Sequence, residues 1–262
     1  MDRIKHPALA RAAVLAAALA LVAAPGALAK KEVVRVGNLF LTDNGGITPT
    51  KLPRHRQAPI SGHISGEIGT TDGTHPPPVE TVEVDFDKTL RVDAKGIPAC
   101  PLGRLEARTT AEAKKACPNS IVGSGRGVVE VSFPESRPLI AKGPIVLFSG
   151  GAKGGVTKLF IHTFVSVPAP TAVVARTTIT EIHRGHFGLH TLSEIPVIAG
   201  GAGSVTKFEL TIGRRFSRGG RPASYLTASC PTGHYFTQGE VRFSGGIVLG
   251  ITHSLPCTPK ND

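Results

Sequence analysis

The histidines form the sharpest chemical cluster in this chain. His183, His186 and His190 lie close together, and His162 lies upstream. Three converging imidazoles can hold Zn²⁺ or another divalent cation. Arg184-Gly185 reads as a tight turn that sets His183 and His186 across a hairpin neck. His186 and His190, four residues apart, share one face of a regular strand. Glu181 and Glu194 are near in sequence, but no catalytic carboxylate motif accompanies the histidines. The plainer reading is a set of surface histidines at a hairpin tip, and no metal or other cofactor is expected.

A second polar group is Glu83, Asp85, Asp87 and Asp93. Carboxylates two apart on a strand share a face and could offer oxygens to Ca²⁺, which takes six to eight. The D-x-D-x-D-G loop is missing, so the solvated outer face of an amphipathic strand accounts for them better. Paired-carboxylate glycosidase chemistry also occurs on β scaffolds, and sequence spacing does not test it.

The third candidate is the basic stretch Arg214-Arg215-Phe216-Ser217-Arg218-Gly219-Gly220-Arg221. Guanidinium forks suit carboxylate and phosphate. Arg214, Arg215, Arg218 and Arg221 are therefore the candidate ligand-binding residues, for an anionic cell-wall polymer or polysaccharide. The competing reading is a solvated turn whose arginines block edge-to-edge pairing. Lys51, Arg54, His55 and Arg56 form a weaker basic loop.

Other familiar catalytic patterns fail. Gly123-Ser124-Gly125-Arg126-Gly127 lacks the Gly-Lys-Ser/Thr ending and following helix of a phosphate-binding loop. No serine stands at the strand-to-helix elbow of an α/β-hydrolase. The four cysteines are even in number and lack any C-x-x-C spacing. Two local disulfides, Cys100–Cys117 and Cys230–Cys257, are expected, which leaves no thiol nucleophile.

The elements that must position these residues read as strands. Thirty-one glycines and 21 prolines punctuate short runs rich in Val, Ile, Thr and Phe, the signature of many strands joined by turns. Val33 to Leu41 and Ser61 to Thr70 are the first candidates, with the segment from Thr42 to Pro59 too interrupted for a long strand. In Thr81 to Leu90, Val82, Val84 and Phe86 face one way and the acids the other. Leu102 to Ala116 is the one helical segment, with Thr109 and Glu112 set as a capping box and Cys100 and Cys117 bracketing it. Strand candidates then follow in series from Ser120 to His253. Such spacing predicts an all-β fold, an antiparallel β-sandwich (jelly-roll-like) with one short disulfide-bracketed helical insert.

Residues 1–29 have the layout of a signal peptide: a basic start, an apolar run from Ala12 to Ala24, and Ala27-Leu28-Ala29 before the cleavage point. Residues 30–262 are then a single secreted, extracellular or cell-wall-associated domain with no membrane span. The chain carries a net +11. The segment 1–29 holds three basic residues and one acidic, which leaves +9 for the rest, a charge that attracts anionic partners. The lack of Trp and of any long Lys/Arg run argues against specific nucleic-acid binding.

Leu52-Pro53, Ala58-Pro59-Ile60, Thr71-Asp72-Gly73, Asp85-Phe86-Asp87, Ile121 to Gly125, Ile195 to Gly201, Ile212 to Phe216, Ser229-Cys230-Pro231 and Pro256-Cys257 together resemble a group of secreted β-rich proteins of high-GC bacteria with no assigned function. The resemblance implies secretion and an all-β fold and supplies no site residues. The function expected is a non-catalytic binding or structural role toward anionic polymer. The alternative is a secreted carbohydrate-active hydrolase or lyase.

Overall fold

The computed structural model describes residues 32–262, so the expected signal peptide lies outside the described residues. The strands, in chain order, are β1 (Glu32–Val36), β2 (Leu39–Thr48), β3 (Lys51–Pro53), β4 (Ala58–Pro59), β5 (Ser61–Thr70), β6 (Val79–Asp87) and β7 (Leu90–Val92). After the helix α1 (Thr110–Ala116) come β8 (Ile121–Val131), β9 (Leu139–Lys153), β10 (Val156–Val165), β11 (Thr171–Arg184), β12 (Phe187–Glu194) and β13 (Gly203–Ile212). The chain ends with β14 (Arg215–Arg218), β15 (Arg221–Ser224), β16 (Leu226–Ala228), β17 (His234–Phe243), β18 (Val248–Pro256) and β19 (Thr258–Lys260).

Twelve strands make one antiparallel sheet in the order β1-β2-β5-β13-β8-β9-β10-β11-β12-β6-β17-β18. The all-β, antiparallel character is as expected, but the strands do not divide into two packed sheets. One sheet curls until its first and last strands meet, nearly closing a barrel. Alternation alone cannot separate the two outcomes, because both bury one face of every strand. Strand length and glycine placement separate them. Long strands such as β9 and β11 run unbroken, and glycines sit where neighbouring backbones crowd. A Cβ at Gly125 would run into the Glu209 carbonyl, and one at Gly127 would stand 2.9 Å from Ile145. The glycine run 123–127 therefore serves strand packing rather than phosphate binding.

The expected first strand is in fact two, split by a turn at Gly37-Asn38, where Gly37 has φ +58°. β2 then continues through Asn44-Gly45-Gly46, which looked too interrupted to be a strand. Inward residues form an aliphatic lining, exemplified by Leu41, Ile68, Ile145, Leu147, Leu159, Ile179 and Leu189. Outward positions such as Lys158, Arg176 and Glu209 are exposed. No helix among the described residues is long and apolar enough to cross a membrane.

Segments outside the large sheet close the barrel at one end. The small sheet β4-β16-β7, with Leu52, Ile60, Ile97, Tyr225 and Cys230, forms a plug beneath the inner wall. Cys230–Cys257 staples it. The helical insert is shorter than the sequence suggests, a single 3₁₀ turn at Leu102–Arg104 followed by α1. Its capping box forms as expected, with Thr109 Oγ1 accepting from Glu112 N and the Glu112 carboxylate accepting from Thr109 N. Cys100–Cys117 closes its base. Leu105 and Ala113 then bury against Val146, Phe148 and Phe160 on the outside of β9 and β10. Each large side chain so buried stabilises by roughly 1.5–3 kcal/mol.

At the opposite end from the plug the rim is apolar. Val36, Phe133, Leu139, Ile140, Val167 and Val197 are all exposed there, at the ends of β1, β8, β10 and β12 and the start of β9.

Candidate functional site

The four candidate arginines follow β13 at the plugged end, Arg215, Arg218 and Arg221 on a two-stranded ribbon formed by β14 and β15 and Arg214 just before it. Two of them are engaged internally. Arg214 Nη1 donates to the carbonyls of Asn119 and Ile121, tying the ribbon to the start of β8. Arg218 Nη1 donates to Asp93 Oδ2 at 2.6 Å. Arg215 and Arg221 are exposed and make no ion pair among the described residues. The ribbon thus presents two uncommitted guanidinium groups, not four. In the second basic loop, Arg54 donates to the Pro231 carbonyl, and the His55 amide donates to Asp262.

The histidines do not converge. His183 lies at the exposed end of β11, and His186 tilts against Phe236 with ring centroids 4.9 Å apart. His190 Nδ1 lies 2.7 Å from Asp85 Oδ1. His162 is fully buried beneath the insert, its Nε2 3.1 Å from the Arg108 carbonyl, and burial holds its pKa below the usual histidine value. Among the described residues no group of three or more His, Cys, Asp or Glu could hold a metal ion.

Asp85 and Asp87 are buried rather than solvated as expected. Asp85 accepts from Gln238 Nε2 at 2.9 Å, and Asp87 accepts from the amides of Thr89 and Phe236. They bridge β6, β12 and β17, so their work is to join strands.

A serine, a histidine and a glutamate do line up on the outer surface near the apolar rim. His75 Nε2 is 3.1 Å from Ser204 Oγ, and its Nδ1 is 2.9 Å from Glu130 Oε1. The order imitates a hydrolytic triad. Ser204, however, is fully buried and its hydroxyl donates to the Pro76 carbonyl at 2.6 Å. The group pins the proline-rich strap between β5 and β6 to β8 and β13.

The barrel interior encloses a cavity of about 430 Å³. Its wall is largely apolar, with the hydroxyls of Thr163, Thr177, Thr191 and Ser193 on β10, β11 and β12 and an ionisable pair at the seam. There Asp43 on β2 meets His253 on β18, whose Nε2 lies 2.7 Å from Asp43 Oδ2. Glu32 on β1 lies 3.9 Å from His253 Nδ1. Both members of the close pair are buried and line the cavity. Burial pushes the Asp43 carboxyl up, against the lowering effect of His253. Thr237 stands opposite His253 in the β17–β18 register, and Tyr235 stands opposite Leu255 on the same inner face. Tyr225 enters from the plug. The hydroxyls of Tyr225 and Tyr235 and Asp43 Oδ1 are buried with no hydrogen-bond partner. Burial pushes both phenols well above their usual pKa, so they remain proton donors.

Asp43, His253, Tyr225 and Tyr235 are not among the candidate residues named from the sequence. The signal was present, because Leu39-Leu41-Asp43 and Leu249-Ile251-His253-Leu255 each place one ionisable residue at a core-facing position of an alternating strand. No protein-family model matches this chain, and no curated protein or solved structure is significantly similar to it.

Proposed function

We propose that this protein is a non-catalytic binding protein that holds a small apolar molecule inside its barrel. The observation that carries the reading is the interior cavity of about 430 Å³ with its largely apolar wall. Its volume falls within the range of small-molecule sites, and closed antiparallel barrels commonly enclose such ligands. Two disulfides suit an oxidising, extracytoplasmic setting, in keeping with secretion of residues 30–262. Attraction to anionic wall polymer enters as a second, weaker property. It is supported by the exposed Arg215 and Arg221 and by the net positive charge, and it would set where the protein resides rather than what it carries.

Binding of the neutral solvatochromic dye Nile red tests the reading. Saturable one-to-one binding with a blue-shifted emission is expected. Gly45 faces the interior, and a Cβ there meets only the His63 carbonyl, at an ordinary 3.6 Å. Gly45→Phe should therefore fill the cavity and weaken dye binding at least tenfold while the protein stays folded. Undiminished binding in that variant would place the dye elsewhere and sink the proposal.

A further inference from the structure

An aliphatic cavity that carried only hydrocarbon would have no use for polar groups on its wall. Burying a hydroxyl or carboxyl without a partner is unfavourable, and this wall holds three such atoms. Two of the three side chains, Asp43 and Tyr235, belong to the seam side of the wall. Asp43 and His253 are in contact across the seam. Thr237 faces His253 across the β17–β18 ladder, and Tyr235 is the next inward residue of the same strand. Diagonal neighbours on one face of a sheet are within reach of long or aromatic side chains. All four line the cavity, and Tyr225 adds a second phenol from the plug.

We propose that the ligand is an apolar molecule bearing a hydroxyl group, whose polar end is held at the wall formed by Asp43, Thr237, Tyr235 and His253. This inference rests on the reading of the barrel as a binding site for apolar molecules. A phenol offers a proton and Asp43 Oδ1 offers lone pairs. A hydroxyl is both acceptor and donor, so it satisfies both sides. A carboxylate head accepts only and would face the carboxylate of Asp43 and that of Glu32 behind it, with His253 already engaged. A hydrocarbon leaves every polar group unpaired.

Displacement of Nile red by three ten-carbon chains separates the cases: decan-1-ol, decanoate and decane. The alcohol is expected to displace the dye at about tenfold lower concentration than either of the others, the effect of one net hydrogen bond. Tyr235→Phe should abolish that preference, with each chain's displacement compared with the other two in the same variant. The hydroxyl it removes has no protein partner, so thermal stability should not fall. Failure of the dye to bind the wild-type protein would overturn the underlying proposal. Dye binding with equal competition by all three chains, or with decanoate strongest, would overturn this inference alone. So would an alcohol preference that survives Tyr235→Phe, because ordered water would then be what the phenol holds.

Discussion

Asp43 shows how one side chain can be held in tension by its surroundings. Burial favours its neutral form and His253 favours the charged one, and burial is the larger effect. A carboxyl whose folded pKa is raised contributes stability that is complete below its unfolded value and is lost as pH rises through the folded value. Asp43→Asn is neutral at every pH and can still accept from His253. Its melting temperature relative to wild type should therefore climb between pH 3.8 and pH 7. Melts across that range check the direction, and a difference that shrinks toward neutrality would mean that His253 keeps Asp43 charged. His162 acts in the opposite sense. Its lowered pKa costs stability as pH falls below the ordinary histidine value, because the unfolded chain takes the proton first. Asp43 does not stand out by type in the sequence, and His162 stands out there only as one histidine among several; the position of each is what matters, an ionisable residue where the strand pattern calls for an aliphatic one.

Local elements were the most legible part of the chain. Thr109 and Glu112 cap α1 as their spacing requires, and both disulfides close the loops that short separation favours. The long strands emerged from alternation, as in β6, where Val82, Val84 and Phe86 do face inward. What failed locally was the treatment of glycine as a terminator in Asn44-Gly45-Gly46, where it sits within a paired strand. The two disulfides differ in what they hold. Replacing Cys230 and Cys257 together by Ser should cost about 3.5 kcal/mol by loop entropy, and replacing Cys100 and Cys117 about 3 kcal/mol. Denaturant midpoints measure both. Only the first pair staples the plug, so only its loss should also weaken Nile red binding. Equal effects on binding would mean that the plug keeps its place without the covalent link.

Closure is a property of the whole sheet, and for that reason it was not legible. Whether twelve strands form two layers or one cylinder depends on twist accumulated over all of them, and no single segment carries that information. The candidate site suffered likewise, because Asp43 and His253 are 210 residues apart and meet only when the first and last sheet strands do. The arginines were visible because they are contiguous, yet half of them turned out to be structural ties. The seam itself, among the described residues, has no backbone ladder between β1 and β18, and is closed by the His253 contacts with Asp43 and Glu32, by apolar packing of Leu39 and Leu41 with Val241 and Leu249, and beyond the strand ends by the parallel pairing of β3 with β19.

The two ends of the barrel differ in kind, with six exposed apolar side chains on one rim and the Arg215–Arg221 ribbon at the other. Such a molecule has a preferred way of standing on any surface. It should adsorb rim-down on a phenyl resin and ribbon-down on a sulfonate resin. Retention on the two columns should therefore be separately adjustable. Phe133→Ser with Ile140→Ser should shorten only the phenyl retention, and Arg215→Ser with Arg221→Ser only the sulfonate retention. A rim change that shifted both elution positions would show that adsorption is not end-on.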